Sequence, residues 1–257
     1  MSITTAIDMF EGISLAQMDG VKLMNRTDRK FWFNISHLES LLSDIKDDYY
    51  ALEVNGEKNL PYSTTYYDTS DNQMYLNHHR GKLNRFKIRR RNYVATESSF
   101  LEIKFKSNKG RTIKERIPSM YNSSNFNENE GVFIHNKSPY EGYKLQKVLV
   151  NGFKRLMLVS KQMNERCTID QELAFVSNGV QIKLEQLVIV EVKTEGYSKS
   201  RIIDSLNNRR LKASGFSKYC IGRSITDNSL KINSFKFKHR QIEKHIKTPI
   251  SQLINLI

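Results

Sequence analysis

Cysteine, proline and glycine are scarce in this sequence, whose 257 residues include 2 cysteines, 4 prolines and 12 glycines. The two cysteines, Cys167 and Cys220, are too few for a disulfide framework, which is typical of proteins in a reducing cytoplasm. No linker rich in proline, glycine or serine divides the chain, and no internal repeat is present. These absences argue against a disulfide-bonded scaffold and predict one main domain.

Long apolar segments are also missing. No apolar run approaches the roughly 20 residues that a membrane-spanning helix needs, so we expect no transmembrane helix. The N-terminal stretch MSITTAIDMFEG carries acidic residues where a signal peptide would have a basic start and an apolar core. We therefore predict a cytoplasmic protein, for which any membrane partner would be a peripheral one.

Acidic residues are fewer than basic ones, with 27 Asp and Glu against 41 Lys and Arg and a formal net charge of +14. Hydrophobic residues make up 39% of the chain and aromatic residues 10%, enough to offset the entropy of ordering and to exclude general disorder. Basic proteins of this kind usually bind polyanions. The composition thus predicts a globular protein with a polyanionic ligand, without indicating which polyanion.

Charged and apolar residues alternate in five segments with the period of two that is typical of half-buried strands. The segments are RFKIRRRNY, FLEIKFK, RTIKERI, NERCTIDQEL and LVIVEVKTEG. Strand by strand, the residues on the more polar face are Arg85, Lys87, Arg89 and Arg91; Glu102, Lys104 and Lys106; Thr112, Lys114 and Arg116; Arg166, Thr168, Asp170 and Glu172; and Ile189, Glu191, Lys193 and Glu195.

A solvated face of an antiparallel sheet would show the same alternation. Two features favour an enclosed anion site instead. Arg and Lys side chains at two-residue spacing repel one another without an anion, and Arg is well suited to bidentate phosphate recognition. A barrel with a polar interior would gather all these cations around one channel. The sequence pattern leaves open which face lies inside.

Helix signals occur in a few places between the strands. Capping boxes predict one helix from Ser36 and another from Ser138. A third helix is predicted from about Ser198 to Gly215. Residues 121–130 are interpreted as a loop or a short helix, and the basic residues 231–257 as a tail that is loosely docked or disordered. Together with the strands, these signals predict an α+β fold dominated by its sheet.

Seven segments, taken in order, resemble the vacuolar transporter chaperone (VTC) polyphosphate polymerase domain of the triphosphate tunnel metalloenzyme (CYTH-like) superfamily. They are KLMNRTDRKFWF, STTYYDTSDNQMY, NRFKIRRRNY, LEIKFKSNKGRTIKERI, FKRLMLVSKQMNERCTID, VEVKTEG and SGFSKYC. The resemblance, to a stand-alone bacterial-type member, implies a closed antiparallel β-barrel tunnel of about eight strands, with accessory helices outside and at the tunnel ends. It also implies an N-terminal segment (1–20), a tunnel domain (21–230) and a basic C-terminal tail (231–257).

The same resemblance implies the residues of the site. Those matching the phosphate-binding positions of the family are Lys30, Arg89, Arg91, Lys104, Lys114, Arg155, Arg166, Lys193, Ser217 and Lys218. Those implied to be catalytic are Arg89, Arg91, Lys104, Arg155, Arg166 and Glu191. Glu191 matches the metal-binding glutamate, and Glu102 is a second candidate, since carboxylate oxygens suit Mg²⁺ or Mn²⁺.

One departure from the superfamily pattern bears on function. Hydrolase members begin with E-x-E-x-K, where this chain has Arg26, Asp28 and Lys30, and losing the first glutamate removes a metal ligand. The resemblance predicts transfer of the γ-phosphate of a nucleoside triphosphate, expected to be ATP, to inorganic polyphosphate. A metal-dependent triphosphatase or polyphosphatase and a non-catalytic polyphosphate-binding protein remain open alternatives. No nucleic-acid-binding signature is present, so no specific nucleic acid is expected as a partner.

Overall fold

A computed structural model describes residues 2–19, 26–123, 125–196 and 199–257. This part of the chain has an α+β fold in which twelve strands belong to one sheet and eight α-helices accompany it. The predicted fold class is thereby confirmed. None of the described helices is both long and apolar enough to span a bilayer.

The strands and helices alternate irregularly along the chain. The strands are β1 (Glu11–Ile13), β2 (Arg26–Asn34), β3 (Tyr49–Leu52), β4 (Asn59–Thr69), β5 (Arg85–Tyr93), β6 (Ser98–Lys106), β7 (Thr112–Ser119), β8 (Leu145–Ser160), β9 (Glu165–Ser177), β10 (Val180–Leu184), β11 (Leu187–Glu195) and β12 (Ile254–Leu256). The α-helices are α1 (Ile3–Asp8), α2 (Leu15–Asp19), α3 (Leu38–Ile45), α4 (Gln73–His79), α5 (Glu128–Lys137), α6 (Arg201–Asn208), α7 (Lys218–Thr226) and α8 (Lys236–Ile246).

Eight of the strands form a continuous antiparallel path in the order β7–β6–β5–β4–β8–β9–β11–β2. β10 and β12 extend the sheet beside β9, while β3 and then β1 extend it beside β8. Over the described residues β2 and β7 do not pair, so the sheet is not closed and the predicted closed barrel is not confirmed. The path still curls around one cavity, because each of its eight strands contributes a side chain to the lining.

The alternating segments form strands as predicted, namely β5, β6, β7, β9 and β11. The apolar faces of β5, β6, β9 and β11 point away from the cavity into two clusters of buried residues. On β7, Ile117 is partly buried against the larger cluster and Ile113 is exposed. In the smaller cluster, α3 and α6 cover the outer face of β2 and β11, where Leu42 and Leu206 join Phe33 and Val190. Burial of these apolar side chains is what keeps the opposite, charged face of the strands turned inward.

The outer face of β5 carries one buried cation. Arg90 is 1% exposed, and its guanidinium donates to Glu130 of α5 at 2.8 Å and to the hydroxyl of Tyr67 at 2.9 Å. A buried cation needs such partners, because desolvation without them is costly. This ion pair therefore holds α5 against the outside of the sheet.

Two of the predicted helices differ from the structure in position. The first is present as α3, but Asn34 rather than Ser36 caps its entry, because the Asn34 side chain accepts the Ser36 N–H at 2.9 Å in a preceding 3₁₀ turn. The helix predicted from Ser138 is wrong, since Ser138 is the extended residue that ends α5. The capping box that operates there is Asn127 with Glu130, inside the stretch interpreted as a loop or short helix.

The third predicted helix corresponds to α6 but is shorter than expected. Its predicted start, Ser198, lies outside the described residues, and the observed N-cap is Ser200, whose side chain accepts the Ile203 N–H at 3.2 Å. The helix ends at Asn208 rather than continuing to Gly215. The residues after it run past the edge of β2 and lead into α7.

The C-terminal residues also differ from the loosely docked or disordered tail that their composition suggests. Residues 231–257 include α8 and β12, and Ile242 and Ile246 of α8 are buried in the same cluster as Trp32. The apolar positions of α8 recur at helical spacing beneath a surface rich in Lys and His, which explains why composition concealed them. The division of the chain at residues 20 and 230 stays a prediction, and residue 21 lies outside the described residues.

Candidate functional site

A basic cavity of about 510 Å³ lies inside the curl of the sheet. We call the lining side chains of β5, β6 and β7 the first wall, and those of β2, β8, β9, β11 and α7 the second wall. The lining cations among the described residues are Arg85, Lys87, Arg89, Arg91, Lys104, Lys106 and Lys114 in the first wall, and Lys30, Arg155, Lys193 and Lys218 in the second. The lining carboxylates, Asp28, Asp170 and Glu191, all belong to the second wall. Such an excess of enclosed positive charge suits a polyanion.

Most of the predicted site residues meet in this cavity. Those that line it are Lys30, Arg89, Arg91, Lys104, Lys114, Arg155, Glu191, Lys193, Ser217 and Lys218. Two do not: Glu102 is fully buried behind the first wall, and Arg166 is directed elsewhere. The guanidinium of Arg166, near the start of β9, donates to the backbone carbonyl of Met18 in α2.

Glu102 organises the first wall from behind. Its Oε2 accepts the Nε–H of Arg89 at 2.7 Å, and its Oε1 contacts the ammonium of Lys114. Burial by itself would raise the pKa of Glu102, but Arg89, Arg91 and Lys114 hold it well below its usual range. Both oxygens of this ionised carboxylate are engaged, so its geometry suits orienting two cations rather than binding a metal.

Three lysines lie opposite one another across the first wall. Lys87 of β5 is in register with Lys104 of β6, which is in register with Lys114 of β7. Lys114 has the carboxylate of Glu102, and the ammonium of Lys87 donates to the hydroxyl of Ser217 at 3.0 Å. Within the described ranges, no hydrogen bond or ion pair involves the amine of Lys104.

Burial and the neighbouring arginines lower the affinity of two of these amines for protons. The positive charge of Arg89, followed by burial and the charge of Arg91, lowers the pKa of Lys104 to about 6. Burial is the main cause that lowers the pKa of Lys114 to about 8. An anionic ligand would reverse both effects, because negative charge nearby favours the protonated form.

Asp170 has the corresponding role in the second wall. Its Oδ1 and Oδ2 accept the Nε–H and Nη2–H of Arg155 at 2.5 and 2.7 Å, and the ammonium of Lys218 contacts Oδ2. Burial by itself would raise the pKa of Asp170, but Arg155 and Lys218 hold it well below its usual range. Burial also lowers the pKa of Lys218 to about 8, despite this carboxylate.

Glu191 is a more accessible carboxylate than Asp170 or Glu102. Its side chain is 23% exposed, against 3% for Asp170 and 0% for Glu102. Its Oε1 accepts a hydrogen bond from Lys30, its cross-strand neighbour on β2, at 2.9 Å. Burial by itself would raise the pKa of Glu191, but Lys193 and Lys30 hold it well below its usual range, so the group is ionised.

Whether a metal ion can bind at Glu191 depends on the other carboxylates nearby. Asp28 lies two residues from Lys30 on β2, so it shares the inner face with Glu191. In the part of the chain that the structure describes, no group of three or more His, Cys, Asp or Glu residues is arranged to hold a metal. Mg²⁺ and Mn²⁺ are nevertheless often bound by one or two carboxylates together with substrate phosphates. Glu191 with Asp28 fits that kind of site.

The N-terminal turn of α7 closes part of the second wall. Ser217 is its N-cap, and the Ser217 hydroxyl accepts the N–H of Cys220 at 3.2 Å as well as the bond from Lys87. Lys218 and Tyr219 follow and also line the cavity. The start of a helix favours anions, so this turn adds to the attraction of the cavity for anions.

Several lining residues were missed as site residues by sequence reasoning. Lys87 and Asp170 lie on the same period-two faces as Arg89 and Arg166, so the alternation alone carried the signal that could have identified them. The same alternation could have identified three further lining residues, Arg85, Lys106 and Asp28. Three aromatic residues also line the cavity, Tyr66, Phe216 and Tyr219. The alternation gave no signal for them, because the rings of Tyr66 and Tyr219 meet, at 5.1 Å, only through the fold.

Comparisons with known proteins agree with this geometry. The family model of the VTC domain matches residues 25–226 of the chain. A comparison with curated proteins finds no match. Among solved structures, a Hippeastrum protein named for adenylyl cyclase, and reported to have a dominant triphosphatase activity, is 15% identical with a TM-score of 0.50, covering 78% of this chain and 96% of that one.

Two further solved structures are similar at lower scores. A protein from Bacillus halodurans that is named for adenylate cyclase is 12% identical with a TM-score of 0.42, covering 76% of this chain and 96% of that one. A conserved hypothetical protein from Pyrococcus furiosus is 12% identical with a TM-score of 0.39, covering 73% and 95%. The match to the family model spans most of the sequence and confirms what its motifs predicted: the chain belongs to the VTC domain family.

Proposed function

We propose that the chain is a metal-dependent polyphosphate polymerase, which transfers the γ-phosphate of a nucleoside triphosphate to the end of a polyphosphate chain. The proposal rests on one observation above all, the enclosed cavity in which Lys and Arg greatly outnumber the carboxylates. Phosphoryl transfer needs charge neutralisation and in-line positioning more than it needs a protein nucleophile. The residues of this cavity offer both.

The first wall suits the triphosphate. Arg89 and Arg91 present guanidinium groups that can each hold two phosphate oxygens, and Glu102 holds Arg89 in place. Lys104 and Lys114 lie beside them on the neighbouring strands. In our proposal these four cations bind the β- and γ-phosphates and stabilise the charge that develops on transfer.

The second wall suits the acceptor chain. Arg155 and Lys218 are held in place by Asp170, and the N-terminal turn of α7 adds the Ser217 hydroxyl. A terminal oxygen of the polyphosphate would attack the γ-phosphorus while the bond from that phosphorus to the β-bridging oxygen breaks. The nucleoside diphosphate then leaves, and the chain is longer by one phosphate. Arg166 has no part in this scheme, since its guanidinium donates to the Met18 carbonyl.

The divalent cation that the family resemblance implies fits Glu191 better than Glu102. Glu191 faces the cavity and shares a face with Asp28, whereas both oxygens of Glu102 are engaged by Arg89 and Lys114. A bound Mg²⁺ or Mn²⁺ would neutralise part of the charge on the phosphate oxygens. Lys193 and Lys30 hold the pKa of the Glu191 carboxylate well below its usual range, and Lys30 also donates a hydrogen bond to it.

Hydrolysis in the same cavity is the second candidate. The triphosphatase activity reported for the Hippeastrum protein motivates it, although the likeness to that protein extends to the fold alone. A pair of metal ions would need more carboxylates than Glu191 and Asp28, because Asp170 is already engaged by Arg155 and Lys218. This shortage favours transfer to a bound chain over activation of water.

One incubation separates the candidates. The purified protein is given ATP, Mn²⁺ and a short polyphosphate as the acceptor, and both free phosphate and long-chain polyphosphate are measured over time. Polyphosphate is the result that the proposal predicts. Free phosphate without chains would identify a hydrolase. Neither product, with tight binding of added polyphosphate, would identify a binding protein.

A further inference from the structure

A buried carboxylate next to the cavity has no part in the scheme above. Asp68, near the end of β4, is fully buried, and its side chain does not line the cavity. Its oxygens accept the backbone N–H groups of Thr69, Met74 and Tyr75 at 2.8, 2.9 and 3.0 Å. A buried charge is tolerated when its lone pairs are satisfied in this way, and the bonds fix Asp68 in one orientation.

A further hydrogen bond connects Asp68 to the site. The hydroxyl of Tyr219 donates to Oδ2 of Asp68, and the ring of Tyr219 lines the cavity against Tyr66. Tyr219 directly follows Ser217 and Lys218, the two residues of α7 that meet Lys87 and Asp170. A shift of this turn would therefore disturb the contacts of α7 with both walls at once.

The rest of α7 is anchored independently. Arg223, in the next turns of the helix, donates to the carbonyl of Val148 at 2.9 Å and to the side-chain oxygen of Asn72 at 2.7 Å. It also forms an ion pair with Asp227 at 3.0 Å. Losing the Tyr219 hydrogen bond would thus free the first turn while the helix stays attached.

We propose that the Asp68–Tyr219 hydrogen bond positions the first turn of α7 and thereby sets the affinity of the cavity for phosphate chains. Both are positioning residues, because the Asp68 carboxylate does not line the cavity and the Tyr219 hydroxyl is bonded to it. The inference rests on the proposed function in one respect, that the ligand is a chain of phosphates. It adds a residue pair whose effect reaches the ligand through Ser217 and Lys218.

Tyr219→Phe tests the inference because it removes only the hydroxyl. Tyr75→Phe is a matched control, since Tyr75 is also fully buried and its hydroxyl donates to the carbonyl of Lys231 at 2.9 Å, away from the lining. Tripolyphosphate binding is measured by calorimetry, and thermal unfolding is recorded for each variant. We expect both variants to lose a similar amount of stability, while Y219F alone binds tripolyphosphate roughly three- to tenfold more weakly.

Asp68→Asn is a second variant that keeps the shape of the side chain and removes its charge. We expect it to weaken tripolyphosphate binding in the same direction as Y219F. Unchanged affinity in Y219F, or an equal loss of affinity in Y75F, would overturn the positioning role even if the wild-type protein binds normally. Failure of the wild-type protein to bind tripolyphosphate would instead overturn the proposed function, and this inference with it.

Discussion

The two walls of the cavity carry their charge differently. The first wall presents seven of the described Lys and Arg side chains, and its one carboxylate, Glu102, lies behind the lining. The second wall presents four such cations together with Asp28, Asp170 and Glu191. The second wall is therefore nearly balanced without a ligand, whereas the first wall has excess positive charge that only an anion can neutralise.

This difference suggests separate tasks for the two walls. A surface with excess positive charge repels itself, and a bound triphosphate would relieve that repulsion. A balanced surface is already ordered, so it can hold an acceptor and a metal ion in defined positions. The following experiments test whether the tasks divide in this way.

Glu191→Gln is expected to have the largest effect. Replacing the accessible carboxylate of the second wall by an amide should reduce Mn²⁺-dependent turnover of ATP by about 100-fold or more. Tripolyphosphate binding without metal should be preserved or strengthened, because the variant removes a negative charge from the cavity. Steady-state kinetics and calorimetry provide the two readouts.

The control for this variant is Glu115→Gln, which removes the charge of a carboxylate that faces outward from β7 and pairs with Lys137 at 2.7 Å. It should leave turnover and binding unchanged. Normal turnover in E191Q would show that Glu191 is not the metal ligand. Weaker binding of tripolyphosphate without metal would show that the two walls do not have separate tasks.

Removing the buried carboxylates compares the walls directly. Glu102→Gln leaves the buried Arg89 and the more exposed Lys114 without their partner, and Asp170→Asn does the same to Arg155 and Lys218, which are both largely buried. Losing the partner of a buried charge typically costs about 3–5 kcal/mol of unfolding free energy. The loss should be larger for E102Q, because the first wall has no other carboxylate among the described lining residues. Chemical denaturation measures it.

The same pair of variants should respond differently to a ligand. Saturating tripolyphosphate is expected to restore more stability to E102Q than to D170N, since the anion replaces the missing charge where repulsion is greatest. Equal restoration in the two variants would contradict the proposed difference between the walls.

Lys104→Met should have a smaller effect, with opposite signs for stability and binding. Lys104 forms no ion pair in the described structure, so below about pH 6, where its amine is protonated, removing its charge should stabilise the free protein by about 0.5 kcal/mol. The same change should weaken tripolyphosphate binding by roughly tenfold, the size of one charge-assisted contact. Thermal unfolding and calorimetry measure the two effects.

Lys218→Met provides the comparison in the second wall. Lys218 contacts the buried Asp170, so its loss should destabilise the free protein rather than stabilise it. If K104M were the less stable of the two variants, the first wall would not be under the repulsion that we describe.

The pH dependence of tripolyphosphate binding should follow the protonation of Lys104. The pKa of Lys104 is lowered to about 6 in the folded protein from an ordinary value of 10.5, so between these values the unfolded chain holds more protons than the folded chain. For this group, the stability of the free protein therefore rises with pH in that window. Tripolyphosphate favours protonated Lys104, so its affinity should fall as pH rises, by at most about tenfold per pH unit for each proton taken up.

Calorimetry in buffers of different ionisation enthalpy measures this proton uptake. At pH 7 to 8 the wild-type protein should take up protons on binding tripolyphosphate, and K104M should take up fewer. Binding without proton uptake would indicate that Lys104 is already charged in the free protein.

The strand pattern predicted much of the site, because β-strands show their two faces in the sequence. The face that carries Arg89, Lys104 and Glu191 could be predicted from alternation alone. The pattern could not predict which side chains on that face line the cavity, because this depends on the curvature of the sheet. Glu102 lies on the same face, yet Arg89 and Lys114 cover it. The pattern also could not predict whether β2 and β7 pair and close the sheet, because these strands are far apart in the sequence.

The helices show the limit of local signals. The sequence at Ser138 fits the pattern of a capping box, yet α5 ends at this residue and the chain soon continues into β8. Tertiary packing therefore overrides the local helix signal. The opposite occurs in α8, where Ile242 and Ile246 are buried although the surrounding residues are mostly basic. The link between Asp68 and Tyr219 joins residues 151 positions apart, and no local pattern indicates it.

The most direct test of the account is the stoichiometry of the reaction with ATP, Mn²⁺ and a short polyphosphate acceptor. ADP, free phosphate and chain-bound phosphate are measured in the same sample of the purified protein. The account predicts that each ADP released is matched by one phosphate added to a chain, with little free phosphate. Release of one free phosphate for each ADP, without chains, would contradict it.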